Sequence, residues 1–211
     1  MRIKFIRDLE VYIKSRLNRL RINKSNFSII SNNCWGTFIY KKFGLPYQSP
    51  FVNLFLFAPD YIKLLENFSN IDLEKIEFIE KTESKYINEC IECDIHQENY
   101  PIGLLEGHIE LHFLHYKTKE DAKEKWLRRC KKINYERLIF KFSDGDNCTD
   151  EHLKQFNALI FKNKVAFTSK PYPELESVVF IKKYQNQPRV RDEWKSFHKH
   201  YDIVKTINTL D

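Results

Sequence analysis

The sequence predicts an α/β protein: a three-layer domain at residues 25–211, with a mainly parallel sheet and helices on both faces, preceded by a basic amphipathic helix in residues 1–24. Three observations carry this. Short apolar runs bounded by turn residues alternate with segments whose apolar side chains recur at steps of three and four, the pattern of strands separated by helices. The 211 residues are 42% hydrophobic and 15% aromatic, enough to build one core and too apolar for a disordered chain. The charge is unevenly placed: residues 1–24 hold eight basic side chains against Asp8 and Glu10, a net +6 that equals the charge of the whole chain.

The elements follow in order. Ile6, Leu9, Ile13, Leu17 and Leu20 lie at helical spacing over residues 2–20, with basic groups between them. Such a stripe packs on the domain or on a second subunit, or lies on an anionic membrane surface. Phe27 to Ile30 reads as a strand, Ser31-Asn32-Asn33-Cys34 as a tight turn, and Trp35 to Phe43 as a helix stopped by Gly44. The prolines of Leu45–Pro50 mark a loop, and Pro59 opens a helix through about Phe68. Strands are expected at Lys75–Lys81, Ile102–Leu105, His108–Leu114, Leu138–Phe142, Val165–Thr168 and Val178–Ile181. Helices are expected at Thr118–Lys132, where acids come early and bases late in accord with the helix dipole, at Thr149–Asn157 and at Arg191–Thr206.

Several function classes are disfavoured. With 5 glycines and no G-x-G-x-x-G or G-x-x-x-x-G-K-[ST] stretch, neither a glycine-fingerprint dinucleotide site nor a P-loop is supported. Beyond the leader the charge sums to zero, which argues against a phosphate-tracking surface, so no nucleic-acid partner is expected. The leader has no apolar core of a secretory signal, so the expected setting is cytoplasmic with reduced cysteines; peripheral contact at the inner face of the membrane through residues 2–20 stands as the alternative to docking of that helix on protein.

Chemistry in open α/β sheets collects where strands end and helices begin. Ser31-Asn32-Asn33-Cys34-Trp35 is one such junction. A thiol at a helix start has its pKa lowered, and Asn32 and Asn33 supply oxyanion donors; the plainer reading is an N-cap beside a small buried cysteine. A second is His112-Phe113-Leu114-His115-Tyr116. On a strand His115 falls at the end of the apolar face, where it can serve as a general base; as a helix, His108, His112 and His115 would instead converge on a metal. The third is Ser143-Asp144-Gly145-Asp146-Asn147. Asp144 can orient a histidine, Asp144 and Asp146 can hold a divalent ion on a diphosphate, and all of these are also ordinary turn residues. Arg128 and Arg129, close to Tyr116 in sequence, can reach an anionic substrate. Cys90-x-x-Cys93, with His96 and His108, has at best half of a zinc pattern.

The blocks F-S-I-I-S-N-N-C-W-G-T-F-I-Y (27–40), F-G-L-P-Y-Q-S-P-F-V-N-L-F (43–55), P-I-G-L-L (101–105), F-L-H-Y with K-E-D-A-K-E-K-W-L-R-R-C-K-K-I-N (113–134) and F-S-D-G-D (142–146) resemble a bacterial family of proteins of unknown function usually labelled exopolysaccharide or capsule biosynthesis proteins. Asn33-Cys34 is also similar to the Asn-Cys turn of capsule acetyltransferases related to the SGNH esterase fold, although here no Gly precedes that pair and no Asp-x-x-His block follows toward the C-terminus. The resemblance implies a transferase of surface-polysaccharide biosynthesis that moves an acyl group from acetyl-CoA or another acyl donor to a saccharide or lipid-linked saccharide. Cys34 (or Ser31) would be the nucleophile, Asn32 and Asn33 the oxyanion donors, His115 the base and Asp144 its orienter. Trp35, Tyr116, Arg128 and Arg129 would contact substrate. Two alternatives stand beside it: a glycosyltransferase or nucleotide-sugar enzyme with a divalent cation on Asp144 and Asp146, and a non-catalytic carbohydrate-binding or assembly protein.

Overall fold

The computed structural model describes residues 2–92 and 99–211. A four-stranded sheet forms the middle layer, in the order β1 (Ser28–Ser31), β5 (Leu138–Ser143), β6 (Lys164–Thr168), β7 (Val178–Phe180), and every pairing is parallel. Register sets Ser31 beside Lys141 and Ser143 beside Phe167, so the C-terminal ends of the inner strands lie level. Successive strand residues serve opposite faces, as the pleat requires. Ile30, Phe140, Phe142 and Ala166 pack with α3 (Ala58–Glu66), α5 (Lys119–Cys130) and α6 (Asp150–Ala158). Ile29, Ile139, Val165 and Phe167 pack with α2 (Trp35–Lys42) and α7 (Ile203–Asn208). The three-layer α/β architecture is therefore as the sequence predicts.

A second sheet is antiparallel: β2 (Ile76–Ile79), β3 (Ile102–Leu105) and β4 (Ile109–His112). The turn Leu105–His108 explains why. Glu106 (φ 52°) and Gly107 (φ 71°) are both left-handed, and the His108 amide donates to the Leu105 carbonyl at 3.1 Å, the primed turn that matches hairpin twist. The two sheets are joined through the segment after α2. Phe55 and His112 exchange backbone hydrogen bonds (3.0 and 2.9 Å), and the Leu56 amide donates to the Asn32 carbonyl at 2.9 Å. A short helix α4 (Ile87–Glu92) lies between β2 and β3 in sequence.

Two expectations need correcting. The helix expected over Arg191–Thr206 is broken: 3-10 turns at Glu193–Lys195 and Phe197–Lys199 precede α7, and Asp192 takes a left-handed φ of 48° that no continuous helix tolerates. The strand expected over His108–Leu114 ends at His112, and Leu114 and His115 form a turn. The leader is helical as α1 (Arg2–Arg19), but its apolar stripe does not pack on the domain; Ile6, Leu9, Ile13, Leu17 and Leu20 are all exposed. Its contact with the domain runs through Asn18, whose amide donates to the Lys42 carbonyl at 3.2 Å, and through Ser15, which is buried beside Gly44.

Candidate functional site

A cleft of about 860 Å³ opens over the C-terminal ends of β1 and β5. Its lining draws Asn33 and Cys34 from the β1–α2 turn, Ser143 and Asp146 from the end of β5, His115 from the turn after β4, and Arg189 to Trp194 from the chain ahead of α7. Phe38 and Trp194 stack at 4.5 Å, nearly parallel, and form an aromatic wall.

Under this cleft runs a buried polar network. Lys141 sits between Phe140 and Phe142 in β5 and is fully buried; its ammonium pairs with Glu193 and donates to Asn33 Oδ1 at 2.9 Å. Asn33 Nδ2 donates to Glu193 Oε1 (2.8 Å) and to Ser143 Oγ (3.3 Å). Asn33 Oδ1 also accepts from the Trp35 amide at 3.1 Å, tying the network to the first turn of α2. Burial disfavours the Lys141 ammonium and Glu193 favours it, and the net effect leaves the pKa of Lys141 below the usual lysine range.

Cys34 lines the cleft at the start of α2, where a lowered pKa is expected. The structure gives the opposite. Burial pushes the thiol up to about 11, Glu193 adds to the rise, and Lys141 and Lys41 oppose it. Burial is the largest cause, so the sulfur is a thiol at neutral pH, 3.8 Å from the Leu54 carbonyl. His115 is exposed at the rim, its backbone held by the Asn53 carbonyl at 3.3 Å. Cys34 and His115 thus share a cleft.

Asp144 does not join them as an orienter. Its Oδ1 accepts from the Val190 amide (2.7 Å) and its Oδ2 from the Ser169 amide (2.6 Å), so the carboxylate clamps the wall segment to the sheet. Asp146 faces the cleft and accepts from Arg189 at 2.9 Å, while burial raises its pKa against the pull of Arg189 and Lys141.

The remaining expected contacts separate in the same way. Ser31 is fully buried and its hydroxyl accepts from the Asn33 amide at 3.4 Å, which removes it as a nucleophile. Asn32 is fully buried and shares hydrogen bonds with Ser143 at 3.4 Å. The side-chain amides of Asn32 and Asn33 hold the protein together rather than offering oxyanion donors. Trp35 is in the core against Phe167 and Phe197. Tyr116 is buried, donating to the Val52 carbonyl (2.9 Å) and accepting from Arg129, which itself lies over the Tyr47 ring. Arg128 pairs with Glu124 on the exposed face of α5. None of Trp35, Tyr116, Arg128 or Arg129 lines the cleft.

Sequence reasoning missed Lys141, Glu193, Arg189, Arg191 and Trp194, and placed Ser143 at the junction without a role. Lys141 did leave a signal: a charge inside a strand flanked by bulky apolar residues requires a buried partner. Among the described residues no three His, Cys, Asp or Glu side chains are placed to share a metal ion. His112 is buried on β4, with Nδ1 3.2 Å from the Tyr100 hydroxyl, and His108 contacts the Glu106 carbonyl, so the helical reading of His108, His112 and His115 fails. Cys90 is buried beside Tyr100; Cys93 and His96 lie outside the described residues.

The chain is similar to an uncharacterized protein of Haemophilus influenzae, 32% identical over 204 residues, covering 93% of this chain and 91% of that protein. The match to a domain of unknown function, DUF1919, runs over residues 5–211, nearly the whole length, and the chain belongs to that family.

Proposed function

We propose that the cleft is the active site of a transferase that moves an acyl group to a saccharide, with Cys34 as acyl carrier and His115 as base. The observation that carries the reading is that Cys34, just after β1, and His115, just after β4 of the other sheet, line one cleft beside an aromatic wall. Phe38 and Trp194 offer the flat apolar surface on which a sugar ring packs, and Arg189 and Arg191 at the same cleft suit an anionic donor or acceptor.

In the first step the Cys34 sulfur attacks the carbonyl of an acyl thioester. Its proton passes to His115, a sulfur–carbon bond forms at Cys34, and the bond to the donor sulfur breaks; the departing thiolate takes the proton from His115. In the second step a sugar hydroxyl gives its proton to His115 and attacks the Cys34 thioester, leaving the ester on the sugar. Cys34 departs as thiolate and takes the proton back. Because burial keeps the thiol protonated at neutral pH, base assistance is required rather than optional.

A second reading has one specific observation in favour. Two arginines over the ends of parallel strands suit the diphosphate of a nucleotide sugar. The ion expected there would have Asp146 but not Asp144, both of whose oxygens are held by backbone amides. A thermal-shift comparison of acetyl-CoA with nucleotide sugars, with and without Mn²⁺, separates the readings, since a ligand that binds only the folded chain raises its melting temperature. Stabilisation by acetyl-CoA, reduced in Trp194→Ala, is expected for acyl transfer. Stabilisation by nucleotide sugar alone overturns it in favour of the second reading, and stabilisation by oligosaccharide alone favours a carbohydrate-binding role.

A further inference from the structure

Helix α1 sits on the domain with the wrong face outward for an ordinary surface helix. At about 100° per residue, Ser15 and Asn18 point to one side, and Ile6, Leu9, Ile13, Leu17 and Leu20 are centred about 180° away. The polar side is the one that touches the domain, through buried Ser15 and the Asn18 bond to Lys42. The apolar side faces solvent, with Leu20 83% exposed and Leu17 60% exposed. Tyr12, Ile13, Arg16, Leu17 and Leu20 border an apolar surface groove.

We propose that α1 is a docking element for an anionic phospholipid surface, its apolar stripe entering the interface and its basic side chains meeting the headgroups. Charge decides the occupant. Arg16 flanks the stripe on one side and Lys14 and Arg21 on the other, and the leader carries the chain's entire net charge of +6. A second copy would bring two such leaders together against their own repulsion, whereas an anionic surface is attracted by the same charges. The helix is amphipathic, 18 residues long, and no helix among the described residues is long and apolar enough to cross a membrane, so contact would be peripheral.

The test is vesicle co-sedimentation of the full chain with phosphatidylcholine alone and with a large fraction of phosphatidylglycerol. Binding is expected only to the anionic vesicles, weakening as salt rises, and falling about tenfold or more in Ile13→Glu/Leu17→Glu. Those side chains are already exposed, so the variant's melting temperature should match the parent's. Lys14→Ser/Arg16→Ser keeps the apolar stripe and should lose binding to anionic vesicles several-fold. Failure of the parent to bind, or equal binding to both vesicle types, overturns the proposal. So does a dimer in sedimentation equilibrium that Ile13→Glu/Leu17→Glu dissolves without any vesicle binding by the parent. None of these results bears on the cleft.

Discussion

Lys141 and Glu193 form an ion pair whose side chains are 0% and 2% exposed, and Asn33 hydrogen-bonds both partners. The pair fastens the loop ahead of α7 to the central strand β5, and so fixes one wall of the cleft. A charge pair in such a place earns little over an apolar pair, but breaking it strands a charge without solvent.

Glu193→Ala should therefore destabilise the fold by about 3–5 kcal/mol, and Lys141→Met/Glu193→Leu should recover a large part of that loss. Urea unfolding of the single and double variants measures it. Equal, additive losses would show that the two side chains do not act as a pair.

The Cys34 thiol should alkylate slowly at neutral pH, with an iodoacetamide rate that rises through a midpoint of about 11. Mass spectrometry of the Cys34 peptide across a pH series follows that one sulfur. A rate that levels off below pH 8 would mean that the helix dipole outweighs burial after all.

Stability should decline on the alkaline side. The folded-state pKa of Cys34 (about 11) and of Cys130 (about 12) lies above the ordinary 9.0, in each case chiefly through burial. Below pH 9 both states hold these protons and the contribution is full; as pH rises toward the folded values the unfolded chain ionises first, and stability is lost. Denaturation midpoints from pH 8 to pH 11 report this, and the slope should flatten in Cys130→Ala.

Asp144→Ala should act as a structural lesion. It removes two charge-assisted bonds to the amides of Val190 and Ser169, each worth about 1.5–3 kcal/mol. Faster hydrogen exchange at Val190 is the expected sign of a loosened cleft wall. An unchanged exchange rate with loss of turnover would return Asp144 to a direct role in the chemistry.

The middle layer was legible because β1, β5 and β6 are buried on both faces and read as short apolar runs beside clear helical periodicity. The antiparallel sheet was legible as strands but not as a separate sheet, since its direction turns on the left-handed pair Glu106 and Gly107. The terminal segment misled because its aromatics fall at helical spacing, while Asp192 and the tertiary pull of Lys141 on Glu193 break the helix. In the site, Cys34, Asn33 and His115 were found because residues at strand and turn ends reach the cleft. Glu193 and Arg189 were not, because nothing local marks a residue whose partner lies far away along the chain. Asp144 was located correctly at the strand end and misread in role, since a carboxylate's partners are invisible until the backbone amides around it are known.

The most direct measurement is peptide mapping of the chain after incubation with acetyl-CoA and no acceptor, in the parent, Cys34→Ala and His115→Ala. One acetyl group on the Cys34 peptide is predicted in the parent, absent in Cys34→Ala and strongly reduced in His115→Ala. An unmodified Cys34 in a parent that still acetylates sugar, or equal labelling with and without His115, would contradict the assignment of these two residues.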